Sequence, residues 1–370
     1  MSRFSQRFFA LFGTLATLIA LLETVPRFVE IPGLELEELN PLIRQLRLAR
    51  IEGHPYLAYA PKKDFVSPEE SRQKITHNSL GFRGPEISEQ KPPGVFRIMC
   101  LGGSSTYGHG PTSNERTWPY RLQKRLSMAR PDLSIEVING GCQGYTSFES
   151  LTNYAFRGIP LEPDMIIVYH AINDMRGALY EDIKTDNTHR RAVFKRYHET
   201  WLDKSWTYLT LRAYLTDYTD SQKDLGNWVI ADYHERKGKD KFKWTSDRGF
   251  DNFERNLNSI ITLARNNGAA VVLGTQAIKE ATLDSAKSKP EQMRGFHNTN
   301  RIVRKLANNR KSVLCDLGPK LTEEGLERVA KKEKPELFTN DVHVTNLGAD
   351  RIAEEFATAI LSSAKLPPLK

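Results

Sequence analysis

The sequence predicts an α/β protein, with a parallel sheet covered by helices on both faces and an N-terminal transmembrane helix. After residue 95, apolar runs of strand length alternate with longer stretches of helical pattern. The strand-like runs are almost continuously apolar, which is typical of parallel strands buried on both faces. Residues 8–25 are almost entirely apolar or small, and a bilayer crossing takes about 20 such residues.

The predicted elements follow one another in an α/β order. We expect strands over residues 96–101, 134–137, 165–169, 269–273 and 312–317, and helices over residues 118–128, 253–267, 292–308 and 350–364. The chain of 370 residues is 39% hydrophobic and 26% charged, so it can bury a large core and is not an intrinsically disordered chain. A single α/β domain with insertions fits this length, and the sequence contains no internal repeat.

Charges on either side of the apolar N-terminal segment predict its orientation. Arg3 and Arg7 precede it, whereas acidic residues lie at its end and beyond it: Glu23, Glu30, Glu35, Glu37 and Glu38. Since positive charge stays on the cytoplasmic side, we predict a cytoplasmic tail over residues 1–7 and a signal-anchor over residues 8–25. The alternatives are a cleaved signal peptide and a buried helix. The absence of a small-x-small cleavage site before Pro26 favours the uncleaved anchor.

Residues 26–94 are predicted to form a juxtamembrane stalk and an N-terminal extension outside the cytoplasm. Asn40 and Pro41 supply an N-cap and a first helical residue for an amphipathic stretch, LIRQLRLARIE, which could form a stalk helix. The extension then carries the motif NSLGFRG over residues 78–84, to which the sequence alone assigns no role. The main domain is predicted over residues 95–370.

Within the main domain, residues 175–250 are predicted to be an insertion, because the connection is too long for a simple link between a strand and a helix. The insertion carries many Lys and Arg residues and four tryptophans: Trp201, Trp206, Trp228 and Trp244. An insertion that follows a strand's carboxyl end overhangs the ligand-binding edge of the sheet, so it could act as a lid or a substrate platform. The alternative is a helical subdomain whose tryptophans form its own core.

The charge and the cysteines restrict the possible partners only weakly. The net charge of +8 and the pI near 9.2 suit anionic envelope glycans or phospholipid headgroups, and they are equally compatible with ordinary surface charge. No nucleic-acid-binding motif is present. Cys100, Cys142 and Cys315 are odd in number and follow no spacing pattern, so we predict no disulfide framework.

A candidate nucleophile lies in residues 96–108, FRIMCLGGSSTYG. An apolar strand ends in paired glycines and small hydroxyl residues, which places Ser104 on a tight loop at the carboxyl edge of the sheet. A phosphate-binding loop would need a Lys after its last glycine, and none is present. The elbow G-x-S-x-G would need glycine where Thr106 stands, and a dinucleotide fingerprint would need a third glycine after Gly108 and Gly110.

A candidate base lies near the other end of the chain, in NDVHVTNLG. His343 falls in the loop before a predicted helix, with Thr345 or Asn346 as the N-cap. A histidine that deprotonates a serine needs a group that fixes its tautomer, and Asp341 is a candidate for that role. A solvated surface histidine is the alternative. Because no second ligand cluster accompanies it, we predict neither a metal nor a cofactor.

Two further strand ends offer hydrogen-bond donors for a developing oxyanion. The segment NGGCQG, residues 139–144, follows one predicted strand, and Asn173-Asp174 follows another. Glycine amides and an asparagine side chain at such positions can point into a cleft, although Asn and Gly are also ordinary turn residues. One preorganised donor commonly contributes about 10²–10³ in turnover.

Together these four segments resemble the four blocks of the SGNH/GDSL hydrolase family, over roughly residues 96–361. The resemblance implies a three-layer flavodoxin-like fold. It also implies that Ser104 is the nucleophile and that its N–H is one oxyanion donor, with the Gly141 N–H and the Asn173 side chain as the others. His343 would be the general base.

The chain departs from the family pattern at three positions. Gly103 stands where the family name has Asp, and Ala171 stands where the third block usually has Gly. Asn340 lies three residues before His343, where the family usually carries its triad carboxylate. Asp341 could substitute from the adjacent position, and a Ser–His dyad is the alternative.

The predicted function is that of a membrane-anchored serine esterase. It would hydrolyse an O-acyl ester, O-acetyl in our prediction, of an extracytoplasmic glycan or lipid through an acyl-enzyme and without a cofactor. An O-acetyltransferase would use the same residues, with a sugar hydroxyl replacing water. A non-catalytic glycan-binding or assembly protein that has lost its acid at Asn340 is the third possibility.

Overall fold

The structure is a computed structural model that describes residues 3–28, 50–57, 59–175, 185–186, 192–194, 205, 207–208, 228–230, 247–279, 285–363 and 365–367. The chain divides into two compact units. One comprises residues 1–53 and 194–229, and the other comprises residues 54–193 and 230–370. The second unit contains the whole of the parallel sheet.

The regular elements are numbered in chain order. The strands are β1 (Ile51–Glu52), β2 (Ala60–Pro61), β3 (Val95–Gly102), β4 (Ser134–Asn139), β5 (Met165–Tyr169), β6 (Ala192–Phe194), β7 (Trp228–Ile230), β8 (Ala270–Gly274) and β9 (Val313–Cys315). The α-helices are α1 (Arg3–Phe28), α2 (Ser104–Tyr107), α3 (Trp118–Ala129), α4 (Ser147–Asn153), α5 (Ile172–Met175), α6 (Arg248–Asn266), α7 (Ser285–Asn309), α8 (Leu317–Ala330) and α9 (Asn346–Leu361). Shorter 3₁₀ and π turns cover Asn114–Arg116, Tyr154–Gly158 and Ile159–Leu161.

The main sheet has five parallel strands in the order β4-β3-β5-β8-β9. The chain enters at β3, moves to one edge at β4, and then crosses to the other side for β5, β8 and β9. This is the flavodoxin-like order, and it confirms the predicted fold. The order reverses between β3 and β5, so ligands are expected at the carboxyl ends of these two strands.

Helices cover both faces of the sheet. Successive side chains of a strand point to opposite faces, and β3 shows this clearly. Ile98 and Cys100 pack in the core formed with α3, α8 and α9, whereas Met99 and Leu101 pack in the core formed with α6 and α7. All four side chains are fully buried. The predicted three-layer arrangement is therefore confirmed.

The predicted elements of the main domain are all present, with shifts at their ends. The last helix begins at Asn346 rather than residue 350, because the Thr345 hydroxyl accepts a hydrogen bond from Gly348 N and caps it. The predicted strand over residues 312–317 ends at Cys315, and α8, which was not predicted, begins at Leu317.

The N-terminal helix α1 belongs to the other unit. Its segment Ser5–Val25 is 21 residues long with a mean hydropathy of 2.0, and its side chains are not buried. Length and composition therefore suit a membrane anchor or a signal sequence. Residues 40–49 of the predicted stalk helix lie outside the described residues, and Ile51–Glu52 forms a short strand instead.

Most of the predicted insertion over residues 175–250 also lies outside the described residues, including Trp201, Trp206 and Trp244. Trp228 begins β7, which pairs with β6. The lid or platform role of this segment stays a prediction.

Candidate active site

Ser104 lies directly beyond the carboxyl end of β3 and is the first residue of the short helix α2. The glycine at 102 allows this sharp change of direction, because a Cβ there would lie 2.0 Å from Thr106 Oγ1 and 2.7 Å from Tyr169 O. The first N–H groups of a helix have no acceptor within the helix. The Ser104 N–H can therefore donate a hydrogen bond to a ligand.

Ser104 and His343 are in hydrogen-bond contact although 239 residues separate them in sequence. The distance from Ser104 Oγ to His343 Nε2 is 2.7 Å. The histidine loop is held by its main chain, because Thr339 N donates to His343 O over 2.8 Å and His343 N donates to Asn340 Oδ1 over 3.0 Å. A nucleophile and a base in this contact can carry out acyl transfer.

The structure separates the two adjacent serines of the nucleophile loop. Ser105 is buried, and its hydroxyl donates to Val342 O over 3.1 Å and accepts from Gln276 Nε2 over 3.2 Å. Ser105 therefore joins the nucleophile loop to the histidine loop. Ser104 is the serine whose hydroxyl reaches the histidine ring.

The side chain beside the far nitrogen of His343 is Asn340. Its Nδ2 lies 2.9 Å from His343 Nδ1, while its Oδ1 accepts from Val342 N and His343 N. Since two main-chain N–H groups hold the oxygen, the NH₂ group faces the ring and donates to Nδ1. Asp341 instead uses its main-chain carbonyl, which accepts from Lys279 N over 2.7 Å. Among the residues that the structure describes, the Asp341 carboxylate forms no hydrogen bond with the ring.

A second histidine lies against His343. The ring centroids of His109 and His343 are 4.5 Å apart, and Gln143 Nε2 lies 3.3 Å from His109 Nδ1. His109 was not among the site residues predicted from the sequence. The available signal was its position directly after the nucleophile block, between Gly108 and Gly110.

Asn173 lies beside the nucleophile loop. It sits in α5, at the end of β5, and its Nδ2 donates to Tyr145 O over 3.0 Å. A Cβ on Gly103 would lie 2.8 Å from Asn173 Nδ2 and 3.1 Å from Tyr145 O. Glycine at 103 therefore lets the Asn173 amide approach the residue that precedes Ser104.

Gly141 is packed into the protein rather than towards the cleft. Its N–H donates to Asn139 Oδ1 over 3.1 Å, and the residue is buried. A Cβ at this position would lie 2.4 Å from Tyr107 N. The structure therefore explains this glycine by close packing of the second block beneath α2.

Gly144 is the half-buried glycine of the same segment. The main-chain N–H groups of Gly140, Cys142 and Tyr145 donate to Cys100 O, Gly102 O and Cys142 O, respectively. Gly144 is half-buried and has a φ of +72°, a conformation that favours glycine. Within the described part of the chain, its N–H has no hydrogen bond to a protein acceptor. Gly144 is the third glycine of NGGCQG and was not among the donors predicted from the sequence.

A buried polar network surrounds Asp174, the residue that follows Asn173. Asp174 Oδ1 accepts from Ser147 N over 2.8 Å and from Ser147 Oγ over 2.5 Å, and Asp174 Oδ2 lies 3.5 Å from His170 Nδ1. Ser150 Oγ lies 2.7 Å from His170 Nε2. Burial raises the pKa of Asp174 to about 7 and lowers the pKa of His170 to about 3. Both groups are therefore largely uncharged at mildly acidic pH.

Residues 54–94 lie in the same compact unit as the site and brace it. Arg83 is buried, and its Nη1 donates to Tyr107 O over 3.2 Å and to Gly108 O over 2.7 Å, at the end of α2. His77 Nε2 lies 2.8 Å from the Tyr107 hydroxyl. The NSLGFRG motif that contains Arg83 therefore holds the helix that carries Ser104.

The remaining candidate groups do not form a metal or thiol site in the described residues. No group of three or more His, Cys, Asp or Glu side chains is arranged to hold a metal ion there. Cys100, Cys142 and Cys315 are buried and unpaired with one another, and burial raises the pKa of each thiol. They are core residues rather than reactive thiols.

Comparisons with known proteins add the family. A model of the GDSL-like lipase/acylhydrolase family matches residues 100–351. No curated protein sequence matches the chain. Similar solved structures include the acetyl xylan esterase AlAXEase (16% identity, TM-score 0.45, 71% of this chain and 99% of that chain). Another is the acetylxylan esterase Axe2 from Geobacillus stearothermophilus (15% identity, TM-score 0.43, 73% of this chain and 96% of that chain).

The family match spans the nucleophile loop, the second block, Asn173 and His343, so it includes each segment that forms the cleft. The chain belongs to the GDSL-like lipase/acylhydrolase family and is a serine hydrolase that acts on ester bonds.

Proposed function

We propose that this chain is a membrane-anchored serine esterase that removes an O-acyl group, specifically O-acetyl, from a glycan or lipid outside the cytoplasm. The observation that carries the proposal is the 2.7 Å contact between Ser104 Oγ and His343 Nε2 at the carboxyl edge of the sheet. A hydroxyl next to an imidazole is the arrangement that nucleophilic acyl transfer requires.

In the proposed reaction, Ser104 Oγ attacks the ester carbonyl while His343 Nε2 takes the hydroxyl proton. The tetrahedral intermediate collapses, the bond to the alcohol oxygen breaks, and His343 returns the proton to the leaving alcohol. Water then attacks the acyl-enzyme with His343 again as the base. The carboxylic acid leaves, and Ser104 regains its proton.

Three donors are proposed to hold the oxyanion of that intermediate: the Ser104 N–H, an N–H of the Asn173 side chain, and the Gly144 N–H. Asn173 Nδ2 is placed by Tyr145 O, and Gly144 directly precedes Tyr145. Gly141 was the expected donor from this segment, but its N–H is directed at Asn139 Oδ1. We therefore propose Gly144 in its place.

The third catalytic position is proposed to be Asn340 rather than the Asp341 expected from the sequence. Asn340 Nδ2 contacts His343 Nδ1 at 2.9 Å, so an amide stands where a carboxylate would support the ring, and Ser104 and His343 act as a pair without an acid. The sequence-based preference for Asp341 gains no support from the described contacts of its side chain.

The N-terminal helix supports the proposal of an extracytoplasmic substrate. Its 21-residue apolar segment is long enough to anchor the chain, and the charge asymmetry in the sequence favours an exported domain. The net charge of +8 would favour anionic glycans or lipid headgroups at the envelope. We propose acetyl as the acyl group, and a series of aryl esters from acetate to octanoate tests this choice.

The decisive experiment combines fluorophosphonate labelling with hydrolysis of an aryl acetate. Wild type should label at Ser104 and hydrolyse the ester, and Ser104→Ala and His343→Ala should each lose nearly all turnover while remaining folded. Ser105→Ala is the matched control and should still label at Ser104. Wild-type turnover by Ser104→Ala would refute the proposal. Faster acyl transfer to an added glycan than to water would identify a transferase instead.

A further inference from the structure

The extension before the family domain contacts the second block through one fully buried tyrosine. Tyr59 lies outside the residues matched by the family model, and its side chain is completely buried. Its hydroxyl donates to Gln143 O over 2.7 Å. The Tyr145 hydroxyl in turn donates to Tyr59 O over 2.6 Å, and the two rings are 5.4 Å apart. Tyr59 is therefore hydrogen-bonded to the residues on both sides of Gly144.

The bond to Gln143 O also fixes the direction of the next amide. A trans peptide unit is planar, so its C=O and N–H point in opposite directions. Because the Gln143 carbonyl points at the buried Tyr59 hydroxyl, the Gly144 N–H points away from it. The φ of +72° at Gly144 is open to glycine without strain, so this orientation is compatible with the local backbone.

The groups that flank this peptide contact the candidate active site. The Gln143 side chain reaches His109, whose ring contacts His343. Tyr145 O accepts from Asn173 Nδ2, and both atoms lie against Gly103. The Gln143–Gly144 peptide therefore contacts a buried tyrosine through its carbonyl, and the groups on both sides of it contact residues around Ser104 and His343.

We infer that Tyr59 is a positioning residue that aims the Gly144 N–H at the oxyanion through its hydrogen bond to Gln143 O. This inference rests on the proposed esterase function. It assigns to the extension a part in the reaction, in addition to the bracing of α2 by Arg83. A donor contributes to catalysis only when it is directed at the place where negative charge develops, so a misdirected amide should reduce turnover more than substrate binding.

Tyr59→Phe removes the hydroxyl and keeps the buried ring. We expect kcat for an aryl acetate to fall about tenfold, a part of the ~10²–10³ that complete loss of a donor costs, with KM changed less than about twofold. The rate of phosphonylation of Ser104 should fall by a similar factor, because that reaction also builds charge on an oxygen in the same place. A merely structural role would instead lower the melting temperature and leave kcat, KM and the phosphonylation rate at wild-type values.

Tyr154→Phe is the matched control. Tyr154 is also completely buried, and its hydroxyl has no hydrogen-bond partner in the described structure, so its loss should leave kcat and KM at wild-type values. Tyr145→Phe is the second variant, which tests the positioning role of Tyr59 if Tyr59→Phe does not fold. It removes the bond that holds the Tyr59 main chain, and we expect a loss in kcat of about threefold with the same small effect on KM.

The outcomes separate the inference from the proposed function. If Tyr59→Phe and Tyr145→Phe both match Tyr154→Phe in kcat and in phosphonylation rate, the positioning role of Tyr59 is refuted while the esterase stands. If wild type hydrolyses no ester but labels at Ser104, the proposed function fails. In that case the phosphonylation rates of the same variants still decide whether Tyr59 positions the amide.

Discussion

Asn340 donates a hydrogen bond to His343 at the position where a catalytic carboxylate would accept one. The Asn340 Nδ2 to His343 Nδ1 distance is 2.9 Å. A neutral imidazole that accepts at Nδ1 carries its proton on Nε2, and that proton then points at Ser104 Oγ. In this tautomer His343 cannot take the proton of Ser104, so turnover requires the less favoured tautomer or a displaced amide.

Asn340→Asp should therefore increase activity. A carboxylate at this position would accept from Nδ1–H, favour the tautomer with a free Nε2 lone pair, and stabilise the imidazolium. In a related triad, the reverse change costs about 10⁴ in turnover, so we expect a gain in kcat of at least about tenfold with KM nearly constant. Steady-state hydrolysis of an aryl acetate from pH 5 to 9 measures both kcat and KM. An unchanged or reduced kcat would show that the amide does not limit the reaction.

Asp341→Ala provides the complementary test. Because Asp341 anchors its loop through a main-chain carbonyl bonded to Lys279 N, loss of the side chain leaves that bond in place. We expect less than about a threefold loss in kcat, against the ~10⁴ that loss of an orienting carboxylate can cost. A loss of more than tenfold would instead restore Asp341 as the residue that supports His343. The double variant Asn340→Asp/Asp341→Ala separates the two positions.

The fold and the strand-end positions of Ser104 and His343 could be predicted because both depend on strong local patterns. The strands are almost continuously apolar, and the paired glycines before Ser104 mark the end of β3. His343 precedes a capped helix, so its loop is placed by the sheet on which that helix packs. Parallel strands bring their carboxyl ends to one edge, which is why residues far apart in sequence meet there.

The finer assignments depend on main-chain direction, which residue types do not encode. Gly141 and Gly144 are both glycines of the segment NGGCQG, and the sequence does not distinguish them as donors. In the structure, Gly141 is buried with its N–H bonded to Asn139, whereas Gly144 is half-exposed. Asn340 and Asp341 are neighbours, and the curvature of the loop decides which side chain reaches His343. The predicted strand over residues 312–317 was too long because Asp316 leaves the sheet to bind Thr275 and Arg304 through its carboxylate.

Arg83→Met should destabilise the catalytic unit. The Arg83 guanidinium is buried and donates to Gly108 O over 2.7 Å and to Asn114 Oδ1 over 2.9 Å, so its loss leaves buried acceptors without a donor. We expect the free energy of unfolding in urea to fall by about 3 kcal/mol. Arg304→Met is the control, because Arg304 forms a partly exposed ion pair with Asp316 that should contribute at most about 1 kcal/mol. Equal effects of the two substitutions would contradict this account of Arg83.

The proposed topology places Lys370 outside the cytoplasm. An alkaline phosphatase fused after Lys370 folds only after export, so it should be active, whereas a fluorescent reporter that folds only in the cytoplasm should be dark. Replacing Arg3 and Arg7 by Glu weakens the charge asymmetry and should lower the phosphatase signal. A fusion that is active only with the cytoplasmic reporter would overturn both the orientation and the envelope substrate.

Asp174→Asn should reveal how much the buried carboxyl group lowers the free energy of unfolding as the pH rises. Burial, with a smaller contribution from Glu149, raises the pKa of Asp174 to about 7, against the ordinary value of 3.8, although the bonds from Ser147 act in the other direction. The folded protein therefore holds a proton that the unfolded chain has lost. The stability that this proton provides is complete below about pH 4 and is lost as the pH rises to about 7.

Asparagine reproduces the neutral carboxyl group, since its oxygen can accept from Ser147 and its NH₂ can donate to His170 Nδ1. The free energy of unfolding of Asp174→Asn relative to wild type should thus increase by up to about 1.4 kcal/mol per pH unit between pH 4 and 7, and stay constant above that range. Urea unfolding of both proteins at pH 4.5, 6 and 8 measures the difference. His170, whose pKa burial lowers to about 3, is present in both proteins, so its opposite pH dependence cancels in the comparison. A difference that is independent of pH would mean that Asp174 is ionised in the folded protein throughout this range.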